Sequence, residues 1–283
     1  MAKYYVNRNY TAKEMAKANI SKNSKKKGGF FSTVKFIFIM GCACVLAGVA
    51  SLQLYLSSLP PINNLEQFKP NFVTKIYSAD GEIIKTFTAY TYEKIELKDI
   101  PENLKKALIA TEDKNFYRHH GYDMTGLARS TVQNLMAGHV VQGASTITQQ
   151  LLKNNVFTDW TNESTIERFK RKFQEQYFAV QLEKELKDKQ TILENYLNTI
   201  NLGDGNYGVQ AAAHGYFNKD VNELTLSECT VLAGISQNPT RYNPATNPEE
   251  NAKRRKEVLD HMLAQNYISQ EQYDECLADN VYE

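Results

Sequence analysis

The feature that most constrains this chain is an uncharged run of 21 residues near its N-terminus, residues 36–56. The run is mostly apolar, and Ser51, Gln53 and Tyr55 are its few polar positions besides small residues. At about 1.5 Å of rise per residue, a helix of this length spans the hydrocarbon core of a bilayer, about 30 Å. The run therefore predicts a single transmembrane anchor, residues 36–58.

The charges around this run are distributed unequally. Residues 1–29 contain eight Lys or Arg residues and one acid, whereas the net charge of the whole chain is only +1. Because basic residues beside a span stay in the cytoplasm, residues 1–35 are predicted to be a cytoplasmic basic tail, with everything after about residue 58 outside. The clustering argues against a generally basic nucleic-acid binder. The alternative is a signal peptide cleaved at Gly48-Val49-Ala50, although the apolar run is long for one.

The rest of the chain is long enough for one domain with a sizeable core. Residues 72–77 and 82–87 flank Asp80-Gly81 and predict a β-hairpin in a linker region, 59–99, followed by a short strand over 92–97. From Pro101 onward, apolar residues recur at helical spacing, which predicts a mainly α domain over 100–283. After the Pro101 helix, further helices are predicted over 123–137, 144–154, 164–187, 188–198, 206–216, 224–236, 248–265 and 270–278.

The four cysteines indicate no zinc site, because their spacing matches none of the common zinc motifs. Cys42 and Cys44 lie inside the apolar run, and Cys229 and Cys276 lie in predicted helices. A disulfide between Cys229 and Cys276 stays open at this level. No structural metal is predicted.

Three stretches carry residues suited to chemistry, and the first ends the helix that begins near residue 101. Glu112 falls on the same helical face as Ile109 and Phe116, so its carboxylate borders an apolar surface. Loss of water contacts there favours the protonated acid, which suits a group that must take up a proton near neutral pH. The alternative is that Glu112 and Asp113 are solvated or cap a helix, with His119 a core histidine.

The second stretch is the helix predicted over 164–187. One face is an apolar stripe of Ile166, Phe169, Phe173, Tyr177 and Val180, and the opposite face carries Arg168, Arg171, Lys172 and Glu175. Such a charged set is commonly an exposed face with weak ion pairs. Ala179 and Leu182 continue the cationic face, however, which favours a cleft over bulk solvent.

The third stretch, residues 143–154, begins with glycine and small hydroxyl residues that open a helix. The free N–H groups and positive dipole end of such a helix can receive phosphate oxygens. Gln150 and Lys153 lie about two turns in and extend this polar edge. The alternative is an ordinary N-cap by Ser145 or Thr146.

These stretches together resemble glycosyltransferase family 51, the peptidoglycan glycosyltransferases, which comprise monofunctional enzymes and the N-terminal domains of class A penicillin-binding proteins. The likeness covers residues 72–244. It rests on five blocks in the family's order: EDxxFxxHxG at 112–121, GASTITQQL at 143–151, RKxxE at 171–175, ILENYLN at 192–198 and LTLxE at 224–228.

The resemblance implies a lysozyme-like glycosyltransferase domain with a membrane-proximal jaw. It implies an inverting enzyme that polymerises lipid II into β-1,4-linked glycan strands, releases undecaprenyl pyrophosphate and is inhibited by moenomycin. By motif position, Glu112 would deprotonate the acceptor hydroxyl and Glu175 would be the second catalytic carboxylate. The implied substrate-binding residues are Asp113, Phe116, His119, Ser145, Thr146, Gln150, Lys153, Arg171 and Lys172.

The same resemblance implies a place in bacterial cell wall synthesis, on the cytoplasmic membrane, with the catalytic domain extracellular. The expected partners are lipid II, the growing glycan strand and the membrane, together with proteins of cell wall synthesis or division, and no nucleic acid. No metal ligand set is predicted, and the use of Mg²⁺ or Mn²⁺ stays open.

One stretch departs from the family pattern. Residues 153–171 are a few residues longer than is common, and we expect them to form a loop over the cleft in which Phe157 and Trp160 dip into the membrane interface. The alternative is that Trp160 packs on the jaw.

Two other functions stay open. Two carboxylates around a sugar also describe a muramidase or lytic transglycosylase, and the chain could be an inactive membrane-anchored assembly factor. The cationic residues Lys153, Arg171 and Lys172 favour the transferase, since cleavage of a glycan releases no diphosphate.

Overall fold

The structure is a computed structural model, and it describes residues 12–59, 73–78, 80, 83–88, 91–139, 143–157 and 163–282. The chain divides into two compact units, Met1–Pro60 and Pro61–Glu283. The first unit contains helix α1, Ala12–Ser57. Its segment Ser32–Ser57 has a mean hydropathy of 2.2 and is long enough to cross a membrane, as the sequence predicts. Orientation in a membrane stays a prediction.

The second unit contains an antiparallel hairpin of β1, Val73–Tyr77, and β2, Ile83–Thr88. Val73 pairs with Thr88, and a bulge separates the pairs made by Ile76 and Tyr77. The predicted hairpin is therefore confirmed.

The strand predicted over 92–97 is largely wrong. Only β3, Thr91–Tyr92, is a strand, pairing in parallel with β4, Asn206–Tyr207. Beyond it the backbone of Ile95 donates to Asn198 Oδ1 (2.8 Å) and accepts from Asn198 Nδ2 (2.9 Å), and a 3₁₀ turn follows over Leu97–Asp99. Side chains of a neighbouring helix satisfy this backbone, so no partner strand is needed.

The described part of the second unit is otherwise helical, which confirms the mainly α class. The helices are α2 Glu102–Glu112, α3 Met124–Ala137, α4 Ile147–Asn155, α5 Thr165–Leu186, α6 Lys189–Thr199, α7 Val209–Phe217, α8 Leu226–Ile235, α9 Pro248–Ala264 and α10 Gln270–Ala278. Every predicted helix is present; the ends of α10 are as predicted, and those of the others differ by at most a few residues.

Side-chain caps set where several helices begin. Thr146, Ser164, Thr225 and Ser269 each accept a backbone N–H three residues ahead, and a Gln or Glu there bonds back to the cap. Such capping boxes satisfy N–H groups that the helix itself leaves unpaired. Helix α4 therefore begins after Thr146 and later than periodicity alone predicts.

Helix α8 is the centre of the core. It is buried throughout Ser227–Ile235, and it packs against α2 and α9, while α4 packs against α5 and α6. Leu104, Ala107 and Leu108 on α2 are buried, as their helical spacing predicts. These contacts hold the C-terminal ends of α2 and α8 beside each other.

Helix α5 turns its apolar stripe outward. Ile166 is 81% exposed and Phe169 64%, whereas Arg171 is buried and Glu175 has no exposed surface. Helix α3 adds more exposed apolar side chains: Met124, Leu127, Val132, Leu135 and Met136. Helices α3 and α5 thus present apolar side chains to their surroundings, while α5 buries the charged side chains of Arg171 and Glu175.

The structure answers whether Cys229 and Cys276 form a disulfide. Cys229 and Cys276 are buried free thiols, so the structure contains no disulfide between them. Burial raises the pKa of the Cys229 thiol to about 12.

Phe157 packs on Phe178, with 6.3 Å between ring centroids. Trp160 lies outside the described residues.

Candidate active site

A cavity of about 870 Å³ opens between the end of α2, the start of α4, one face of α5, the end of α8 and α9. Eight of the predicted site residues line it: Glu112, Asp113, Ser145, Thr146, Gln150, Lys153, Lys172 and Glu175. The other three, Phe116, His119 and Arg171, are buried. The two carboxylates predicted to be catalytic therefore share one groove.

Glu112 is the last residue of α2 and is held on both carboxylate oxygens. Gln150 Nε2 donates to Oε2 at 2.8 Å, and Ser236 Oγ donates to Oε1 at 2.6 Å. The guanidinium of Arg254 lies 3.9 Å from Oε1. With a side chain only 12% exposed, Glu112 is partly dehydrated and points into the cavity with a fixed orientation.

The side chain of Gln150 is itself oriented by Tyr196 on α6. The hydroxyl of Tyr196 donates to Gln150 Oε1 at 3.1 Å, which leaves the amide nitrogen to face the carboxylate of Glu112. Tyr196 is fully buried, and burial, followed by the charges of Glu112 and Asp113, raises its pKa well above the ordinary value. Tyr196 therefore stays a neutral hydroxyl donor.

Asp113 and His119 form a buried pair that ties the first motif block to α4. His119 Nε2 lies 2.8 Å from Asp113 Oδ2, and the same oxygen accepts the backbone N–H of Ile147 at 3.0 Å. A carboxylate here also complements the positive end of the α4 dipole. Asp113 thus uses one of the helix N–H groups that were candidates for phosphate binding.

Behind this pair lies a carboxylate that the sequence reasoning missed, Glu183. Thr148 Oγ1 donates to it at 2.5 Å, Lys189 Nζ lies 2.7 Å away, and His119 Nδ1 lies 4.0 Å away. The ammonium of Lys189 also lies over the ring of Phe116, 4.5 Å from its centroid. This buried network joins α4, α5 and α6 to the first motif block.

Glu175 is the most deeply buried acid of the cavity wall. Arg171 Nη1 donates to Oε1 and Lys172 Nζ donates to Oε2 at 2.7 Å. Glu163 holds the other side of Arg171, at 2.7 and 2.9 Å from Nε. Both oxygens of Glu175 are therefore occupied by cations.

Positive charge gathers where α4 and α5 face each other. Burial, and next the charge of Lys172, lowers the pKa of the Lys153 ammonium. Lys172 Nζ also donates to Ser145 Oγ at 3.3 Å, at the entrance of α4. An anion bound here would gain attraction from ammonium groups that are only partly hydrated.

A glycine allows two motif blocks to meet. Gly121 has φ = +93°, and a Cβ at this position would lie 2.5 Å from the backbone nitrogen of Val180 on α5. Its carbonyl accepts the hydroxyl of Thr146 at 2.7 Å. The final glycine of the first block thus lets α5 approach and fixes the start of α4.

Four residues from the C-terminal part of the domain, which the sequence motifs did not predict, also belong to this site. Ser236, Arg254, Glu257 and His261 line the same cavity. Burial, and then the charge of Arg254, lowers the pKa of His261. No local motif marks these residues. Their only sequence signal is that they sit on, or directly after, predicted helices.

Among the described residues, no group of three or more His, Cys, Asp or Glu side chains is placed to hold a metal ion. The two acids Glu112 and Glu175 are instead bonded to protein side chains: Glu112 to Gln150 and Ser236, and Glu175 to Arg171 and Lys172.

Residues 80–263 match the family model described as Transglycosylase. The chain is 41% identical over 252 residues to penicillin-binding protein 1A of Neisseria cinerea, covering 88% of this chain and 31% of that protein. It is 43% identical over 237 residues to the penicillin-binding protein 1A of Neisseria gonorrhoeae, covering 84% and 29%. With that of Escherichia coli (strain K12) it shares 41% identity over 246 residues, covering 86% and 28%.

A crystal structure of penicillin-binding protein 1A from Haemophilus influenzae aligns with a TM-score of 0.41 and 29% identity, covering 73% of this chain and 20% of that one. The chain spans less than a third of the length of these curated relatives.

Proposed function

Because the chain belongs to the transglycosylase family, we propose that it is a peptidoglycan glycosyltransferase of bacterial cell wall synthesis. It polymerises lipid II into β-1,4-linked glycan strands and releases undecaprenyl pyrophosphate. One observation carries the proposal: a single cavity holds a partly buried carboxylate, Glu112, together with the ammonium groups of Lys153 and Lys172. Transfer of a sugar from a diphosphate to a hydroxyl needs such a base and such an anion site.

In this proposal Glu112 is the general base. Its carboxylate takes the proton of the acceptor GlcNAc 4-hydroxyl while that oxygen forms a bond to C1 of the donor MurNAc. The bond between C1 and the diphosphate oxygen breaks on the opposite face, so the configuration at C1 inverts. The fixed orientation of Glu112 by Gln150 and Ser236 supports this role, since a base must be held within reach of its proton.

The leaving diphosphate gains negative charge, and the cationic wall is suited to receive it. Lys153 and Lys172 face the cavity, and the burial of Lys153 strengthens its attraction for an anion. Since both oxygens of Glu175 are bonded to Arg171 and Lys172, we assign Glu175 the task of holding these two cations in place.

The apolar surfaces support a membrane location, which suits a polyprenyl substrate. Helix α1 is long enough to span a bilayer, and the exposed stripe of α5 can enter the interfacial layer. The proposal keeps the division of the chain into basic tail 1–35, anchor 36–58, hairpin linker 59–99 and catalytic domain 100–283. The tail lies in the cytoplasm and the domain outside.

Incubating the full chain with labelled lipid II, with and without added Mg²⁺ or Mn²⁺, tests the proposal. We expect glycan polymer and free undecaprenyl pyrophosphate, and inhibition by moenomycin. Cleavage of preformed glycan without polymer synthesis would show a muramidase or lytic transglycosylase instead. The absence of any turnover would favour an inactive assembly factor.

A further inference from the structure

We propose that Ser236 is a positioning residue for the base: its hydroxyl donates to ionised Glu112 and accepts from Glu112 once that carboxylate has taken up the proton. The inference rests on the proposed function, in which Glu112 is the general base. It concerns a residue outside the five motif blocks.

Ser236 stands between two acceptors. It follows the last residue of α8, and its Oγ lies 2.6 Å from Glu112 Oε1 and 2.8 Å from the backbone carbonyl oxygen of Ala233. A hydroxyl carries one hydrogen, so it donates to one of these oxygens at a time. Both distances are short enough for a good hydrogen bond in either orientation.

The two orientations correspond to the two protonation states of the base. When Glu112 is ionised, Ser236 donates to Oε1. When Oε1 carries the proton received from the acceptor hydroxyl, Glu112 donates to Ser236 Oγ, and the serine hydrogen turns to the carbonyl oxygen of Ala233. One proton has moved from substrate to carboxylate, and only a hydroxyl rotation accompanies it.

This arrangement keeps reorganisation small. One charge-assisted hydrogen bond in the ionised state is replaced by two neutral ones, and a charge-assisted bond is about twice as strong as a neutral one. The carboxylate therefore stays hydrogen-bonded on Oε1 through the reaction, with no heavy atom displaced. Preorganised polar groups of this kind lower the barrier because they need not rearrange.

The neighbouring elements support Ser236 as the direct partner of Oε1. Arg254 on α9 lies 3.9 Å from Oε1 and is engaged by Glu257 at 2.7 Å, while Gln150 on α4 holds Oε2. Other charged or titratable groups that line the cavity or lie behind it are Asp113, Lys114, Asp123, Arg129, Lys153, Lys172, Glu175, Tyr196 and His261.

The backbone around this contact is firmly held. Ser236 follows α8, which is buried along nearly its whole length, and Glu112 ends α2, which packs against α8. The 2.6 Å contact thus joins two helix ends whose separation is set by the core.

The test compares kinetics of the full chain with those of three variants: Ser236→Ala, Ser236→Thr and Ser130→Ala. Ser130 on α3 makes a similar bond to a carbonyl three residues earlier, at 3.1 Å, and serves as the control for losing only such a bond. We expect kcat of Ser236→Ala to fall about tenfold with KM unchanged, because the carboxylate loses a group that orients it and a misplaced base takes up the proton more slowly. Ser236→Thr should restore most of the loss, and Ser130→Ala should match the wild type.

A kcat of Ser236→Ala within about twofold of wild type, a loss confined to KM, or no rescue by threonine would overturn the inference. A second measurement does not need turnover. The infrared carboxylate band that disappears in Glu112→Gln should shift in Ser236→Ala and stay in place in Ser130→Ala. If the wild type makes no polymer, the proposed function fails, while this band still decides whether Ser236 bonds to Glu112: an unshifted band refutes the contact.

Discussion

Glu175 presents the sharpest electrostatic question at the scale of single residues. Its side chain is fully buried, yet it is an acid with cations on both oxygens. Arg171 is buried with it, whereas the Lys172 side chain is 41% exposed. Removing Arg171 should therefore destabilise the fold more than removing Lys172. A buried charge that loses its partner is far more unfavourable than one that water can reach.

Replacing each cation separately measures this difference. We expect Arg171→Gln to lower the free energy of unfolding by about 3–5 kcal/mol, because it strips Glu175 and Glu163 of a buried partner. Lys172→Gln should lower it by about 1 kcal/mol, as expected for a partly exposed pair. Denaturant unfolding followed by circular dichroism measures both, and equal losses would contradict the assignment.

The individual site residues were only partly predictable. The spacing of Glu112 against Ile109 and Phe116 predicts a carboxylate beside an apolar surface; its side chain is only 12% exposed, but the groups on its oxygens are the polar Gln150 and Ser236. Its hydrogen bond to Ser236 joins residues 124 positions apart, and no local pattern reports such a contact. Asp113 and His119 were predicted to contact substrate, and that role stays a prediction, since both are occupied with each other and with α4.

At the scale of elements, hydrophobic periodicity located the helices and left their orientation open. The stripe on α5 has the right spacing for a helix, but its exposed position could not be read from the stripe itself. Likewise, the residues at 92–97 have strand-like composition, and Asn198 instead satisfies their backbone from α6. Which partner a segment meets is decided by tertiary contacts.

Gly121 allows the backbone of α5 to approach the first motif block closely, and its substitution tests this approach. Gly121→Ala should lower the free energy of unfolding by about 3 kcal/mol, since an alanine there meets both a positive φ and the α5 backbone. Gly138 is the matched control, because its φ is +70° and a Cβ there meets nothing within 4 Å. Gly138→Ala should lose only about 1 kcal/mol. Similar losses in a thermal or denaturant unfolding series would argue against the close approach.

A pH-dependent contact joins helix α7 to the segment after β3. Hydrogen bonds to Glu93 and then Asp220 raise the pKa of His214 above 6.5. The stabilisation is therefore complete below pH 6.5 and is lost as the pH rises through the raised value. The lowered pKa of Asp220, from its hydrogen bonds with Gln210 and then His214, adds stabilisation that is lost as the pH falls below 3.8.

Unfolding measured across this range tests the contact. Above pH 6.5, the wild type should lose stability relative to His214→Gln, and the difference between the two should flatten once His214 is neutral. A difference that does not vary with pH would mean that His214 makes no charged contact in the folded chain.

At the scale of the whole molecule, the second unit encloses an apolar core and also exposes apolar side chains on α3 and α5. Ile166, Phe169 and Phe173 lie exposed on α5, and α3 exposes further apolar residues. Soluble monomers rarely expose such patches without a partner, and the proposed partner is lipid.

A dye that reports polarity tests this proposal. In the full chain in liposomes, with Cys42 and Cys44 replaced by alanine, the dye attached through Phe169→Cys should emit at shorter wavelength than the dye attached through Lys184→Cys on the same helix. Both positions are exposed in the structure, so only contact with lipid distinguishes them. Equal emission at the two positions would place the α5 stripe in water.

The most direct test of Glu112 as the base in glycosyl transfer is to compare the polymerisation of lipid II by Glu112→Gln with that by the wild type. Glutamine preserves the size of the side chain and can still accept from Ser236, but its amide nitrogen then faces the donor of Gln150. The free energy of unfolding should therefore fall by about 1–3 kcal/mol while the chain stays folded. Without a base, the rate of glycan synthesis should fall at least about 100-fold. Near-normal polymer synthesis by Glu112→Gln would contradict the assignment of the base and, with it, the mechanism proposed for this cavity.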